Sequence, residues 1–139
     1  KIKREYPSSI KVELKQTTIL AYFFDNNQKT YLGENGKRIK RNIFPKKNLP
    51  LIVGQVDIKN FMNLKKKLDK NGFLLNEFDK FFLFKSKRWD LLYKGKIIVK
   101  LPIDNLDNSL IILKDIIENT NVNNYKIIDL RLKDKIILS

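Results

Sequence analysis

Residues 10–15, Ile-Lys-Val-Glu-Leu-Lys, alternate strictly between apolar and polar, the period-2 pattern of a half-buried strand. The turn-rich Tyr6-Pro7-Ser8-Ser9 before it ends a strand carrying Ile2, so the chain is expected to open on a hairpin. A second β-prone run at 18–24 is broken by Asp25-Asn26-Asn27, Thr30-Tyr31-Leu32 resumes it, and Asn35-Gly36 supplies a turn. From 41 to 54 the pattern is irregular, with Pro45 and Pro50 bracketing a Lys/Asn-rich connector.

Ile58, Phe61, Met62, Lys65 and Leu68 then recur at helical spacing. With Asp57 as cap and Asn71-Gly72 as stop, they predict a helix over 58–70. Residues 73–85 read as a strand carrying Phe73, Phe78, Phe81, Phe82 and Phe84 as core residues. Residues 88–101 read as a hairpin turning at Lys94-Gly95, with Trp89, Leu91 and Tyr93 on its buried face and Arg88, Asp90 and Leu92 on the other. Pro102 ends it, and a second helix capped by Asp104 or Asp107 carries the stripe Leu106, Leu110, Leu113 and Ile117. After the Asn-rich 119–124, a strand pattern runs over 126–138. It places Ile128, Leu130, Leu132, Ile136 and Leu138 on one face and Asp129, Arg131, Lys133 and Lys135 on the other. The element order predicts an α+β domain, an antiparallel, bent sheet with two helices packed on one face. A terminal strand is expected at a sheet edge, where unpaired backbone groups can receive a partner.

At 139 residues the chain suits one domain, or one domain and a fragment of another, able to bury roughly 70% of the surface of its unfolded chain. The 42% hydrophobic content supports a core. Against 15 acidic residues stand 29 basic ones, a formal net charge of +14. Lysines scattered among Asn and Ile favour solvated faces, with attraction to an anionic membrane surface next and nucleic acid last. The short runs are Lys46-Lys47 and Lys65-Lys66-Lys67.

Neither His nor Cys occurs, which excludes Ser-His and Cys-His nucleophiles, thiolate metal sites and disulfides. The five glycines are isolated, so no Gly-rich loop is available to cradle a phosphate. The carboxylates nearest one another, Asp104/Asp107 and Glu77/Asp79, are accounted for by a cap and a strand surface. No enzyme and no cofactor, metal or small-molecule substrate is expected, and no apolar run approaches the roughly 18 residues of a membrane span.

Several segments, in order, resemble the bacterial cell-division family FtsQ, called DivIB in Gram-positive lineages. Residues 2–7 with 9–14 resemble the strand-turn-strand that closes its POTRA domain, and Ile19-Leu20-Ala21-Tyr22-Phe23 the run that follows. Gly33-Glu34-Asn35-Gly36 sits where the family has a D-x-x-G turn. Leu49-Pro50-Leu51-Ile52-Val53-Gly54 is similar to its LP-x-x-x-G motif, Lys87-Arg88-Trp89-Asp90-Leu91 to R-x-W-x-L, and Ile128-Asp129-Leu130-Arg131 to V-D-L-R. Many members follow the last element with a Gly-containing turn, for which Lys133-Asp134 stands here.

The resemblance implies POTRA-like strands over 1–22 and a β domain over 23–139. The intact protein would be a single-pass inner-membrane protein with this part on the periplasmic side, its membrane helix preceding a chain that here begins at Lys1. The implied role is that of a divisome scaffold binding FtsB and FtsL, with FtsB adding a strand beside the last strand. The contact residues implied by edge position and resemblance together are Arg88, Asp129, Arg131, Leu132, Lys133, Asp134, Lys135, Ile136, Ile137 and Leu138. The rival reading is a basic nucleic-acid-binding module, whose affinity would fall steeply with salt.

Overall fold

The computed structural model describes residues 18–40 and 48–139. The hairpin expected over the first residues lies outside them. Within them the chain forms β1 (Ile19–Asp25), β2 (Gln28–Gly33), β3 (Arg38–Ile39), β4 (Leu51–Gly54), α1 (Ile58–Lys70), β5 (Phe78–Leu83), β6 (Trp89–Tyr93), β7 (Ile97–Lys100), α2 (Leu106–Asn119), β8 (Ile127–Leu132) and β9 (Lys135–Leu138). The strands make one sheet in the order β3-β2-β1-β4-β5-β6-β7-β8-β9.

The α+β class and the two helices are as expected, but the sheet is mixed rather than antiparallel. β4 pairs with β5, and β7 with β8, in parallel, and β1 meets β4 in parallel as well. The cause is the helices: α1 joins β4 to its neighbour β5 and α2 joins β7 to its neighbour β8, and a crossover of this length is what brings adjacent strands parallel. Hairpins supply the antiparallel pairs β1/β2, β5/β6, β6/β7 and β8/β9.

Local chemistry fixes each element. Asn26 and Asn27 both take positive φ at the β1–β2 turn, as do Lys94 and Gly95 at the β6–β7 turn, the geometry that matches strand twist in a tight hairpin. Asp57 caps α1, its carboxylate accepting the Asn60 N–H at 3.1 Å. At the other end Phe73 N–H donates to Leu68 C=O and Gly72 N–H to Asp69 C=O, the glycine in left-handed geometry terminating the helix as Asn71-Gly72 predicted. At α2 neither Asp104 nor Asp107 is the cap. Asn105 takes that place in left-handed geometry, φ +63, and uses no side-chain bond, and Asp107 lies in the first turn, where its carboxylate meets Lys67 of α1 at 3.1 Å.

The strand expected over 73–85 is shorter. Phe73 is buried beyond the end of α1, a 3-10 turn occupies Leu75–Glu77, and β5 starts at Phe78. Glu77 explains the turn, folding back to accept the Leu74 N–H at 2.8 Å.

The core lies between the sheet and the helices. One cross-strand row, Ile52, Phe81, Leu91, Val99, Ile128 and Leu138, runs from β4 to β9, and its first five members are buried. Trp89, Leu91 and Tyr93 are buried as expected. Phe61 of α1 meets Phe81 edge-on at 5.3 Å and Trp89 at 6.1 Å, and the Trp89 indole N–H donates to the Asn60 side-chain oxygen at 3.2 Å. The α2 stripe is Leu110, Leu113 and Ile116, with Leu106 and Ile117 at its margins.

Gly54 closes β4 at φ +112, and a Cβ there would run into the Leu83 carbonyl oxygen of the neighbouring strand. This is the physical demand behind the glycine of the Leu49–Gly54 motif. Gly54→Ala is expected to lower stability by about 2 kcal/mol or more through strain and clash together. Gly36→Ala, at φ +83 but facing open space, is expected to cost less. Urea unfolding midpoints of the two variants measure the difference.

Candidate functional site

The pattern over 126–138 forms two strands rather than one. Lys133 and Asp134 make the turn between β8 and β9, so β9 is the sheet edge. The turn uses no positive φ among the described residues at these positions, and the pairing register slips between Asp129 and Leu132. A bulge in β8 thus supplies the twist that a Gly-containing turn would otherwise give. It also frees the Arg131 N–H from the ladder, and the Asp129 carboxylate accepts it at 3.1 Å.

Edge geometry follows from this register. Ile127 and Ser139 exchange both backbone hydrogen bonds, each 3.0 Å, so the alternation of an antiparallel ladder turns the backbone groups of Ile137 toward β8 and those of Ile136 and Leu138 outward. Among the described residues no strand pairs with the outer side of β9, which therefore offers its donors and acceptors.

The apolar face is covered only part of the way. Ile128 and Leu130 are buried and Leu138 half-buried, but Leu132 is 52% and Ile136 46% exposed. The expectation that all five face the core is corrected for these two: the slipped register pairs Leu132 with Lys135 and so takes it off the face of Ile136, and Ile136 lies on the outermost strand. Between hairpin and helix start lies a groove of about 610 Å³, with Leu130, Leu132 and Ile136 on one side and Ile103, Ser109 and Ile112 on the other. Ile103 is 56% exposed. It was not among the expected contact residues, although its place outside the α2 stripe and directly after Pro102 was visible in the sequence.

Arg88, just before β6, and Arg131 of β8 reach the same groove. On the sheet face away from the core, Asp90, Lys100 and Asp129 stand in one row across β6, β7 and β8, which sets Asp90 and Asp129 about 10 Å apart. Each carboxylate holds one arginine. Arg88 donates to Asp90 at 2.5 Å and to the Leu101 carbonyl at 3.4 Å, and Arg131 grips Asp129 through Nε at 2.9 Å and Nη2 at 2.7 Å. Phe84, expected in the core, is instead exposed and carries the Arg88 guanidinium 4.7 Å above its ring. The guanidiniums are thereby held in fixed orientations at the head of the groove.

The bonds from the Arg131 side chain, then that from its N–H, hold the Asp129 carboxyl below the usual carboxylate range, against the opposing effect of its burial. Asp129 in turn raises the Arg131 pKa. Of the remaining expected residues, Lys133, Asp134, Lys135 and Ile137 are exposed on the hairpin. The site thus comprises a strand edge with no partner strand among the described residues, an apolar groove and two guanidiniums held by carboxylates. Among the described residues no group of three or more acidic side chains, histidines or cysteines is placed to hold a metal ion, and no helix is long and apolar enough to cross a membrane.

Residues 21–131 match the family model described as cell division protein FtsQ/DivIB, C-terminal. The chain belongs to the FtsQ/DivIB family. It is 33% identical over 137 residues to the cell division protein FtsQ of Rickettsia bellii (strain RML369-C) and 31% identical to that of Rickettsia conorii (strain ATCC VR-613 / Malish 7). Both alignments cover 96% of this chain and 51% of the relative, so the chain spans about half the length of these FtsQ proteins. A solved structure of the major extracytoplasmic domain of DivIB from Geobacillus stearothermophilus is 18% identical, with a TM-score of 0.48 over 69% of this chain and 87% of that one. FtsQ proteins are membrane-associated components of the bacterial cell-division machinery. The FtsQ-like Ile-Asp-Leu-Arg element is the segment that carries the Asp129–Arg131 pair.

The depressed Asp129 pKa sets a pH dependence. The group contributes stability that is fully present above its unfolded-state pKa and is lost as pH falls through the lower folded value. Asp129→Asn is expected to cost about 2 kcal/mol at neutral pH, since it removes a charged acceptor from a buried position. The difference from the parent chain should shrink below about pH 4 and vanish once Asp129 is protonated in both states. Chemical denaturation of the two proteins across that range measures it.

Proposed function

We propose that this chain is a non-enzymatic docking domain of the division machinery, which receives FtsB, and with it FtsL, by strand addition along β9. The observation that carries the reading is the outer side of β9, where Ile136 and Leu138 point their backbone groups outward beside an apolar groove and the paired arginines. Main-chain bonds would supply affinity and alternate side chains specificity. Leu132 and Ile136 would take apolar side chains of the added strand, and Arg88 and Arg131 would receive a partner carboxylate in their remaining N–H directions. Lys133 and Lys135 are exposed, and ion pairs there are worth roughly 0–1 kcal/mol each, so they would steer the encounter and set register more than hold the complex.

In this reading the domain acts outside the cytoplasm, next to the inner membrane, anchored by a single-pass helix elsewhere in the protein. Residues 1–22 would be the closing strands of a POTRA-like domain. The expected boundary at residue 22 falls within β1, and residues 1–17 lie outside the described residues.

Ile136→Pro tests the proposal. It removes an outward N–H without touching the internal ladder. Titration with a peptide from the C-terminal strand of FtsB should show at least tenfold weaker binding, with the circular dichroism spectrum and unfolding midpoint close to those of the parent chain. Unchanged affinity in the folded variant would overturn strand addition at β9. Deletion of 133–139 should also abolish binding, with some loss of stability, because Leu138 packs on the core and Ser139 bonds to Ile127. The nucleic-acid alternative is separated by its steep salt dependence toward DNA or RNA.

A further inference from the structure

We propose that the outward face of α1 is an adhesion surface for anionic phospholipid, separate from the β9 edge. α1 buries Phe61, Leu64 and Leu68 against the sheet, and helical spacing turns Lys59, Asn63, Lys66 and Lys70 to the opposite side. Lys59, Lys66 and Lys70 have no ion-pair partner among the described residues. The carboxylates around the helix are already taken: Asp69 by Lys65 at 2.6 Å, Asp107 by Lys67 at 3.1 Å, and Asp57 by Lys87 at 3.4 Å. Uncompensated charge therefore collects on one stripe.

Helix stability does not account for its placement. The first turn holds no acidic residue but does hold Lys59, at the end of the helix dipole where a cation is disfavoured. On the same face a shallow depression of about 480 Å³ is bordered by Lys59, Asn63, Lys65, Lys66 and Asp69, with the half-buried Met62 as its apolar wall. It offers ammonium groups to a phosphate and an apolar contact to the glycerol and acyl portion beside it.

The chemistry of the cations selects the occupant. Every basic residue of α1 is lysine, a mobile point charge suited to a diffuse anionic surface, whereas a planar carboxylate on a protein partner is better met by an arginine fork such as those beside β9. α1 also carries no exposed aromatic on which a base could stack. The family is membrane-associated, which puts a bilayer within reach.

The test is flotation of the purified chain with phosphatidylcholine vesicles, with and without phosphatidylglycerol, at increasing salt. Each lysine held at an anionic surface contributes a partition gain of roughly fivefold. The triple variant Lys59→Glu, Lys66→Glu, Lys70→Glu should therefore lose about a hundredfold or more, while Lys37→Glu, Lys80→Glu, Lys96→Glu, with the same net charge on exposed positions elsewhere, keeps most of the binding. Ile136→Pro should bind vesicles like the parent chain. Equal loss in both triple variants would overturn the proposal in favour of bulk charge, as would parent binding that ignores phosphatidylglycerol. Vesicle binding absent but polyglutamate binding lost only in the α1 variant would overturn it in favour of an acidic protein.

Discussion

Phe81 is the residue on which the arrangement depends. It is fully buried in the central part of the sheet, and the rings of Phe61, Phe78 and Trp89 surround it at centroid distances of 5.3–6.3 Å, so one side chain ties α1 to β5 and β6. Edge and tilted contacts of this kind add to the burial of the rings themselves, which makes the cluster a rigid reference for its neighbours. From Phe81 the row of apolar residues passes through Leu91, Val99 and Ile128 to Leu138, each placed by pairing with the one before. The position of β9 is therefore set by the core, although the strand itself lies largely in solvent.

The opposite face of the same strands shows how polar groups are fixed by an apolar frame. The Asp90–Lys100–Asp129 row alternates sign across three strands, and its two carboxylates reach up the sheet to orient Arg88 and Arg131. Burying Asp90 and Asp129 would be costly without these partners: Arg88 donates to Asp90, and Asp129 accepts two guanidinium bonds and the backbone N–H of Arg131. What the fold gains in polar satisfaction it also delivers as pre-set donors beside the groove.

Much of this was legible in the chain. Asp57 and Asn71-Gly72 bounded α1 to the residue, and the Trp89/Leu91/Tyr93 alternation identified the inner face of β6, because caps and period-2 burial are local properties. Strand direction was not legible, since alternation is the same in parallel and antiparallel pairs. The signal lay in the helices interposed between β4 and β5 and between β7 and β8. Phe84 was placed in the core by its residue type, although the alternation that buries Phe81 and Leu83 turns it outward, and Leu132 was placed there by alternation read as one continuous strand, which the slipped register breaks by pairing it with Lys135. Ile103 and Ile112 join the groove through tertiary packing of α2 against the hairpin, so only the three-dimensional structure brings them to Leu132 and Ile136.

The shape of the β8–β9 hairpin also bears on how an open edge avoids the wrong company. β9 has only four residues, follows a bulge and begins with the exposed Lys135, all features that discourage pairing between identical edges. A second copy added antiparallel would bring another lysine-bearing strand against this one, whereas an acidic strand would meet Lys133, Lys135 and the two arginines with complementary charge. The absence of glycine at Lys133-Asp134 then has a physical consequence. The twist is transferred to the bulge, and the bulge is what frees the Arg131 N–H for Asp129, while the two-residue spacing already sets the guanidinium on the same carboxylate, as it does for Arg88 and Asp90. Turn chemistry, edge protection and the bond from the Arg131 N–H to Asp129 are thus three results of one slipped register.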